Sequence, residues 1–271
     1  MTAWHIALWF ADALFLPLYR RGHDHESAAA QVERLMLFLP LDGLPRPLVP
    51  DNPVERAFAD LWTGTAATMT PLWRDRFTGS VRRFLDGVLW ELEHVDHAVT
   101  DLIEYLGARR DFGGPQFTAV LMEHAMGELS PGLLRAREFR TATDAFVDAV
   151  SLHNDIVSYD REVHEGTVGN NGVEVVRHAL GLNRRDAVTF VGDFLTARVD
   201  TLAAAPTAVP AEGVRFVEAL QEALAGSYRW HELTARFGRT TAGFAGKPRG
   251  LGTSAAYVFQ DRSGASHAPR A

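Results

Sequence analysis

Asn154, Ser158 and Glu162 stand four residues apart in the run Asn154-Asp155-Ile156-Val157-Ser158-Tyr159-Asp160-Arg161-Glu162. On a helix, each step of four drifts by about 40° and rises about 6 Å. One helical face therefore carries an amide oxygen, a hydroxyl and a carboxylate in a column. These are hard oxygen donors of the kind Mg2+ takes. Arg161 lies beside the column, where it could hold an anion next to a metal. From spacing alone, a solvated polar face would look the same. The apolar stretch just before it (Phe146, Val147, Val150, Leu152) predicts that the column projects from a buried helix.

Composition narrows the options for the rest of the chain. It has 271 residues, 46% hydrophobic and 10% aromatic, enough apolar material for a sizeable core. The formal net charge is −7 and no long Lys/Arg stripe exists, which argues against nucleic-acid binding. Cysteine is absent, so disulfides and thiolate metal sites are excluded and a reducing cytoplasm is compatible. No apolar run reaches the roughly 18 residues that a membrane span requires. The apolar start (Trp4, Ile6, Leu8, Trp9, Phe10) has no basic leader and is interrupted by Asp12, so no signal peptide is expected. The chain begins inside what reads as a core helix, and further N-terminal structure is expected to precede it. The 11 histidines form no His-x3-His pair with an acidic partner, which disfavours a zinc hydrolase.

The elements that must position the column read as helices throughout. Apolar residues recur at spacings of three and four over 2–19, 26–38, 53–66, 71–90, 93–110, 115–126, 131–138, 140–164, 171–181, 184–204 and 210–237. Pro17, Pro40, Pro50, Gly113-Gly114-Pro115, Pro131, Gly166, Gly181 and Pro206 punctuate them. No alternating strand and no glycine-rich βα turn is visible, so the expected fold class is all-α. Asp24 and Glu26 read as a helix start. Residues 39–52 are a proline-rich connection, and the Gly/Ser/Thr/Ala-rich stretch at 241–271 is expected to be a flexible tail.

The pattern Asn-Asp-x-x-Ser-x-x-Arg-Glu resembles the second metal motif of microbial class I terpene synthases. Other landmarks agree in order over residues 4–240. Trp73…Arg76-Phe77 resembles the family's Trp…Arg-Phe helix start. Tyr105…Arg109-Arg110 followed by Gly113 resembles its diphosphate-sensing helix and the break after it. Gly226…Trp230…Thr234, Arg236-Phe237 resembles its C-terminal Arg-Tyr element. The resemblance implies one α-helical domain over 1–240, a bundle around a central apolar cavity. It also implies a cytoplasmic cyclase, with a homodimer as the family-level expectation, acting on an isoprenyl diphosphate with three Mg2+ ions.

By the same resemblance, Asn154, Ser158 and Glu162 bind one Mg2+. Arg109, Arg161 and Arg236 hydrogen-bond the diphosphate, a task suited to the fixed guanidinium fork. Arg110 points about 100° away on its helix and is not expected to join them. Phe112 takes the linker position of the helix break, and Gly113 offers its carbonyl to the reacting cation. A plain helix terminus would also show this Gly-Gly-Pro.

The first metal motif departs from the family. Counting back from Asn154 lands on Asp12, in an aromatic context, but Ala13 follows where a second acid is expected. Phe237 replaces the usual Tyr, which removes one diphosphate hydrogen bond. Trp9, Phe10, Phe15, Phe77, Phe112, Phe117, Phe146 and Trp230 could line a cation-tolerant cavity, although aromatics at helical spacing are more often core. A chain-elongating prenyltransferase would carry a second aspartate-rich motif, which Asn/Ser/Glu replaces here. An impaired relative that binds isoprenoid diphosphate or a partner protein is the competing reading.

Overall fold

In the computed structural model, residues 2–20, 24–44, 46–94 and 101–234 are described, 12–20 by their backbone alone. Every regular element among them is helical, as the residue spacing predicts. The chain divides into two compact units, Met1–Ser130 and Pro131–Ala271. The expected tail at 241–271 lies outside the described residues.

The first unit holds α1 (Thr2–Arg20), α2 (His25–Met36), α3 (Pro53–Ala66), α4 (Pro71–Glu93), α5 (Leu102–Phe112) and α6 (Pro115–Met126). Side chains start these helices where the sequence marks them. Asp24 caps α2 by accepting from Ser27 N, so it does serve as a helix start. Asn52 caps α3 ahead of Pro53, and its own amide donates to Glu55 Oε1, which closes a reciprocal box. Thr70 caps α4 ahead of Pro71, and Glu128 holds Thr70 by both its N–H and its hydroxyl.

An aromatic cluster forms this unit's core. Phe77 stacks on Trp73 with centroids 4.8 Å apart, and Trp4 meets Phe77 edge-on at 5.0 Å. Each buried indole N–H finds an acceptor: Trp4 on Thr65 Oγ1, Trp62 on the Pro40 carbonyl, Trp73 on the Val120 carbonyl. Phe77 and Phe117 are therefore core residues.

One boundary differs from the predicted helix over 93–110. α4 runs on to Glu93, and α5 starts only at Leu102, capped by Asp101 accepting from Ile103 N and Glu104 N. The corner between α5 and α6 falls at Gly113-Gly114, as expected. Gly114 has φ +81°, a conformation open to glycine, and Pro115 opens α6.

The second unit holds α7 (Pro131–Arg135), α8 (Arg137–Glu165), α9 (Gly172–Ala179), α10 (Arg184–Ala204) and α11 (Val214–Leu233). α8 is its spine, and α9, α10 and α11 all pack against it. Its buried stripe runs through Phe139, Ala142, Phe146, Ala149, Leu152, Ile156 and Tyr159, recurring at three and four. Gly166, at φ +69°, ends α8. α8 begins at Arg137 because Ala136 adopts an extended backbone, which separates the short α7 from it. α11 spans Val214–Leu233 rather than 210–237, because Thr234 turns extended. Among the described residues, no helix is long and apolar enough to cross a membrane.

Candidate functional site

The column lies on α8 and turns out to be largely sequestered. Ser158 is 0% exposed, while Asn154 and Glu162 are half-buried. A solvated polar face is therefore excluded for its centre.

The next helix organises the lower half of the column. Asn171, 0% exposed, caps α9 by accepting from Val173 N at 2.9 Å. Its amide nitrogen donates to Glu162 Oε2 at 2.9 Å and to the Asp155 carbonyl at 2.8 Å, with Ser158 Oγ at 3.4 Å. Gly172 N adds a bond to Asp155 Oδ2 at 3.3 Å. The other carboxylate oxygen of Glu162 meets Arg161 at 3.3 Å, and Arg161 also pairs with Glu165 at 2.5 Å. Arg161 is thus held beside the column, as expected, on carboxylates that an incoming anion would have to displace.

His231 on α11 organises the upper end. Its Nδ1 lies 2.7 Å from the Ser227 carbonyl, which can only accept, so Nδ1 carries the proton. Nε2 is then an acceptor, and Asn154 Nδ2 donates to it at 3.2 Å. This assignment places the Asn154 amide nitrogen on His231. Beside it, His153 stacks on Tyr228 at 3.7 Å. Burial, with a lesser contribution from His231, pushes the His153 imidazole down to about 3, so it stays neutral. Burial also pushes the Tyr228 phenol up.

α9 is locked to α8 next to the column. Glu174, 7% exposed, accepts from Tyr159 at 2.7 Å, from Arg177 at 2.7 and 2.9 Å, and lies 3.0 Å from His178 Nε2. The Arg177 hydrogen bond is the main cause that draws this carboxyl from 4.5 down to about 2, with Tyr159 assisting against burial. Because the folded value is the depressed one, the stabilisation is complete above about pH 4.5. It fades as pH falls through about 2. Urea denaturation at pH 7, 5 and 3 should show the wild type losing stability toward the acid end. Glu174→Gln should start less stable at pH 7 and show a flatter slope across that window. An unchanged slope would remove Glu174 from the acid response.

The first unit places Arg109, Phe112 and Gly113 together at the end of α5. Arg109 is 8% exposed, with its Cζ 4.9 Å above the Phe112 ring. Phe112 stacks on Trp90 at 5.8 Å. Arg110 is less buried. Gly113 N closes the last turn on the Arg109 carbonyl at 3.1 Å. Gly87 on α4 sets how closely α5 approaches. A Cβ there would lie 2.6 Å from the Phe112 backbone nitrogen. Asp12 sits within α1, in the stretch described by backbone alone, and Arg236 and Phe237 fall outside the described residues.

Among the described residues, no group of three or more His, Cys, Asp or Glu is placed to hold a metal. A cation would therefore rest on the mixed donors of the column. The observed chemistry fits Mg2+. The donors are all oxygen, the Asn154 nitrogen is turned away onto His231, and Glu162 alone carries charge. A site with one carboxylate leaves Mg2+ its waters and an anionic ligand's oxygens, which is how this ion is usually held. Asn171 and His231 were not singled out by residue spacing. Asn171 does carry a sequence signal, an Asn directly before Gly172 at a helix start, nine residues after Glu162.

The comparisons with known proteins bear on the family and the fold. Residues 3–201 match the model of terpene synthase family 2, C-terminal metal binding. Pristinol synthase of Streptomyces pristinaespiralis is 30% identical over 225 residues, covering 77% of this chain and 60% of that protein. Sesquiterpene synthase 3 of Postia placenta is 27% identical over 202 residues, covering 71% of this chain and 55% of that protein. The chain thus spans little more than half the length of these two relatives. Among solved structures, linalool/nerolidol synthase from Streptomyces clavuligerus shares the fold. The TM-score is 0.70 at 23% identity, over 82% of this chain and 78% of that one. With its all-helical fold and its column of oxygen donors, the chain belongs to terpene synthase family 2.

Proposed function

We propose that the chain is a Mg2+-dependent class I terpene cyclase that ionises a linear isoprenyl diphosphate and closes the carbocation to a terpene hydrocarbon or alcohol. The observation that carries this reading is the oxygen column on α8, buried at its centre and held in place by donors at the start of α9 and by His231. Farnesyl diphosphate is the first-choice substrate and geranylgeranyl diphosphate the second. Support comes from a relative 26% identical, named 7-epi-alpha-eudesmol synthase ((2E,6E)-farnesyl diphosphate cyclizing), from Streptomyces viridochromogenes.

When bound, Mg2+ would neutralise charge that builds on the diphosphate as its C–O bond breaks. Asn154, Ser158 and Glu162 would hold one such ion, and the reading takes three in all, with Asp12 as a further ligand. Arg161 would exchange its carboxylate partners for diphosphate oxygens. Arg109 and Arg236 take the same diphosphate-binding role, Phe112 and Gly113 the linker and carbonyl roles at the α5–α6 corner.

The test is incubation of purified protein with Mg2+ and geranyl, farnesyl or geranylgeranyl diphosphate, followed by analysis of volatiles. A cyclic product from one of them is expected. No product from all three, with diphosphate bound tightly, would establish the second reading, an impaired relative that binds isoprenoid diphosphate. Ala13 directly after Asp12 is the observation that favours that alternative.

A further inference from the structure

Asn171 makes more hydrogen bonds than a helix cap requires. Capping uses only its Oδ1, on Val173 N. The amide nitrogen could have faced solvent, as cap side chains commonly do, yet the residue is wholly buried with that nitrogen pointed at α8. Two N–H groups are available, and the two short contacts are the Asp155 carbonyl at 2.8 Å and Glu162 Oε2 at 2.9 Å. Ser158 Oγ, at 3.4 Å, shares the same nitrogen more weakly. One amide therefore grips the helix backbone at Asp155, about two turns above Glu162, and, at the same time, two of the three column side chains. Glu162, on the last turn of α8, would otherwise be held only by the longer contact of its other oxygen with Arg161, at 3.3 Å.

We propose that Asn171 is the positioning residue of the metal column: it holds Glu162 and Ser158 as a pair before any cation arrives and thereby sets divalent-cation affinity. The inference rests on the reading of Asn154, Ser158 and Glu162 as metal ligands. A neutral donor suits the task. A lysine or arginine in its place would hold Glu162 as firmly but would repel the incoming cation. A carboxylate would repel Glu162 while the site is empty. An amide orients the ligand without altering the charge of the site. Partners that orient metal ligands typically change affinity by about 10–100-fold when removed.

The test is Mn2+ titration of the full chain, followed by electron paramagnetic resonance in the presence of inorganic diphosphate, with melting in metal-free buffer as control. Asn171→Ser keeps a capping oxygen for Val173 N but is too short to reach Glu162. It should melt within a few degrees of wild type and bind Mn2+ about 10–100-fold more weakly. Asn171→Thr is the second variant, capping equally and filling more of the vacated space, with the same weakening expected. Glu162→Ala, run alongside, should lose the Mn2+ signal. If Glu162→Ala binds as wild type does, the ligand reading falls and the inference with it. If Glu162→Ala loses Mn2+ while the folded Asn171 variants bind normally, the ligand reading stands and the positioning role is overturned. If neither Asn171 variant folds, Asn171 is a folding determinant only, and the inference is likewise overturned.

Discussion

Glu162→Ala should abolish turnover of any isoprenyl diphosphate, with kcat/KM falling about 10³-fold or more. A metal ion at the leaving group contributes several kcal/mol of transition-state stabilisation, and about 4 kcal/mol corresponds to that factor. Glu162 is the residue on which the loss should concentrate, because Asn154 and Ser158 are neutral. In the proposed site, removing it would leave a divalent cation with only neutral ligands from the column. The substitution also strands a buried Asn171 N–H, a structural cost of about 1–3 kcal/mol. Activity alone would therefore mix two effects. Glu162→Gln separates them, since its amide oxygen still accepts from Asn171 while the charge is gone. It should melt near wild type yet lose most of the turnover, with part of the loss recovered at high Mg2+. Turnover that survives Glu162→Ala would take Glu162 out of the metal site.

Among the described glycines of the first unit, Gly87→Ala should add the most damaging methyl group. The added Cβ would stand 2.6 Å from the Phe112 backbone nitrogen and 2.9 Å from its Cα. Backbone cannot rotate aside as a long side chain can, so α4 and α5 must part. Overpacking of this kind costs about 1–3 kcal/mol or more. The melting temperature should drop by roughly 5 °C or more. Gly64→Ala on α3 is the control, since nothing lies within 4 Å of its Cβ position. There, relief from glycine's conformational entropy should stabilise by about 0.5–1 kcal/mol. Equal melting of the two variants would refute the close approach of α4 and α5. Phe112 and Arg109 share the last turn of α5, so with Arg109 in its proposed diphosphate role the Gly87 variant should also weaken diphosphate binding, which calorimetry with inorganic diphosphate would register.

Helix positions were legible because local chemistry states them. The Asn52-Pro53, Thr70-Pro71 and Asn183 starts and the Gly166 stop each act within one turn. The oxygen column was legible for the same reason, since its spacing is a property of one helix. Contacts across the chain were not. Asn154 and His231 are separated by 77 residues, and which nitrogen of His231 accepts depends on the Ser227 carbonyl. The bridge from Asn171 to Glu162 depends on how the turn after Gly166 folds α9 back onto α8. Ala136, an excellent helix former, is extended nonetheless, so its own propensity does not decide its conformation. Gly87 carries no mark in the sequence that distinguishes it from Gly64; the neighbour that makes it indispensable lies on another helix.

The bond between Gly172 N and Asp155, together with the two-ended grip on Asn171, also bears on how the protein ages. Asparagine is a thermolabile residue, and an Asn-Gly pair is especially open to succinimide closure, in which the glycine nitrogen attacks the side-chain carbonyl carbon. Here the nitrogen is engaged with a carboxylate and the amide is pinned at both of its atoms. The folded chain withholds both reactants. Once unfolded it withholds neither, and hydrolysis would leave an acid where the folded structure depends on a donor. Refolding after prolonged heating would then return a chain of the same length with a different residue beneath its oxygen column.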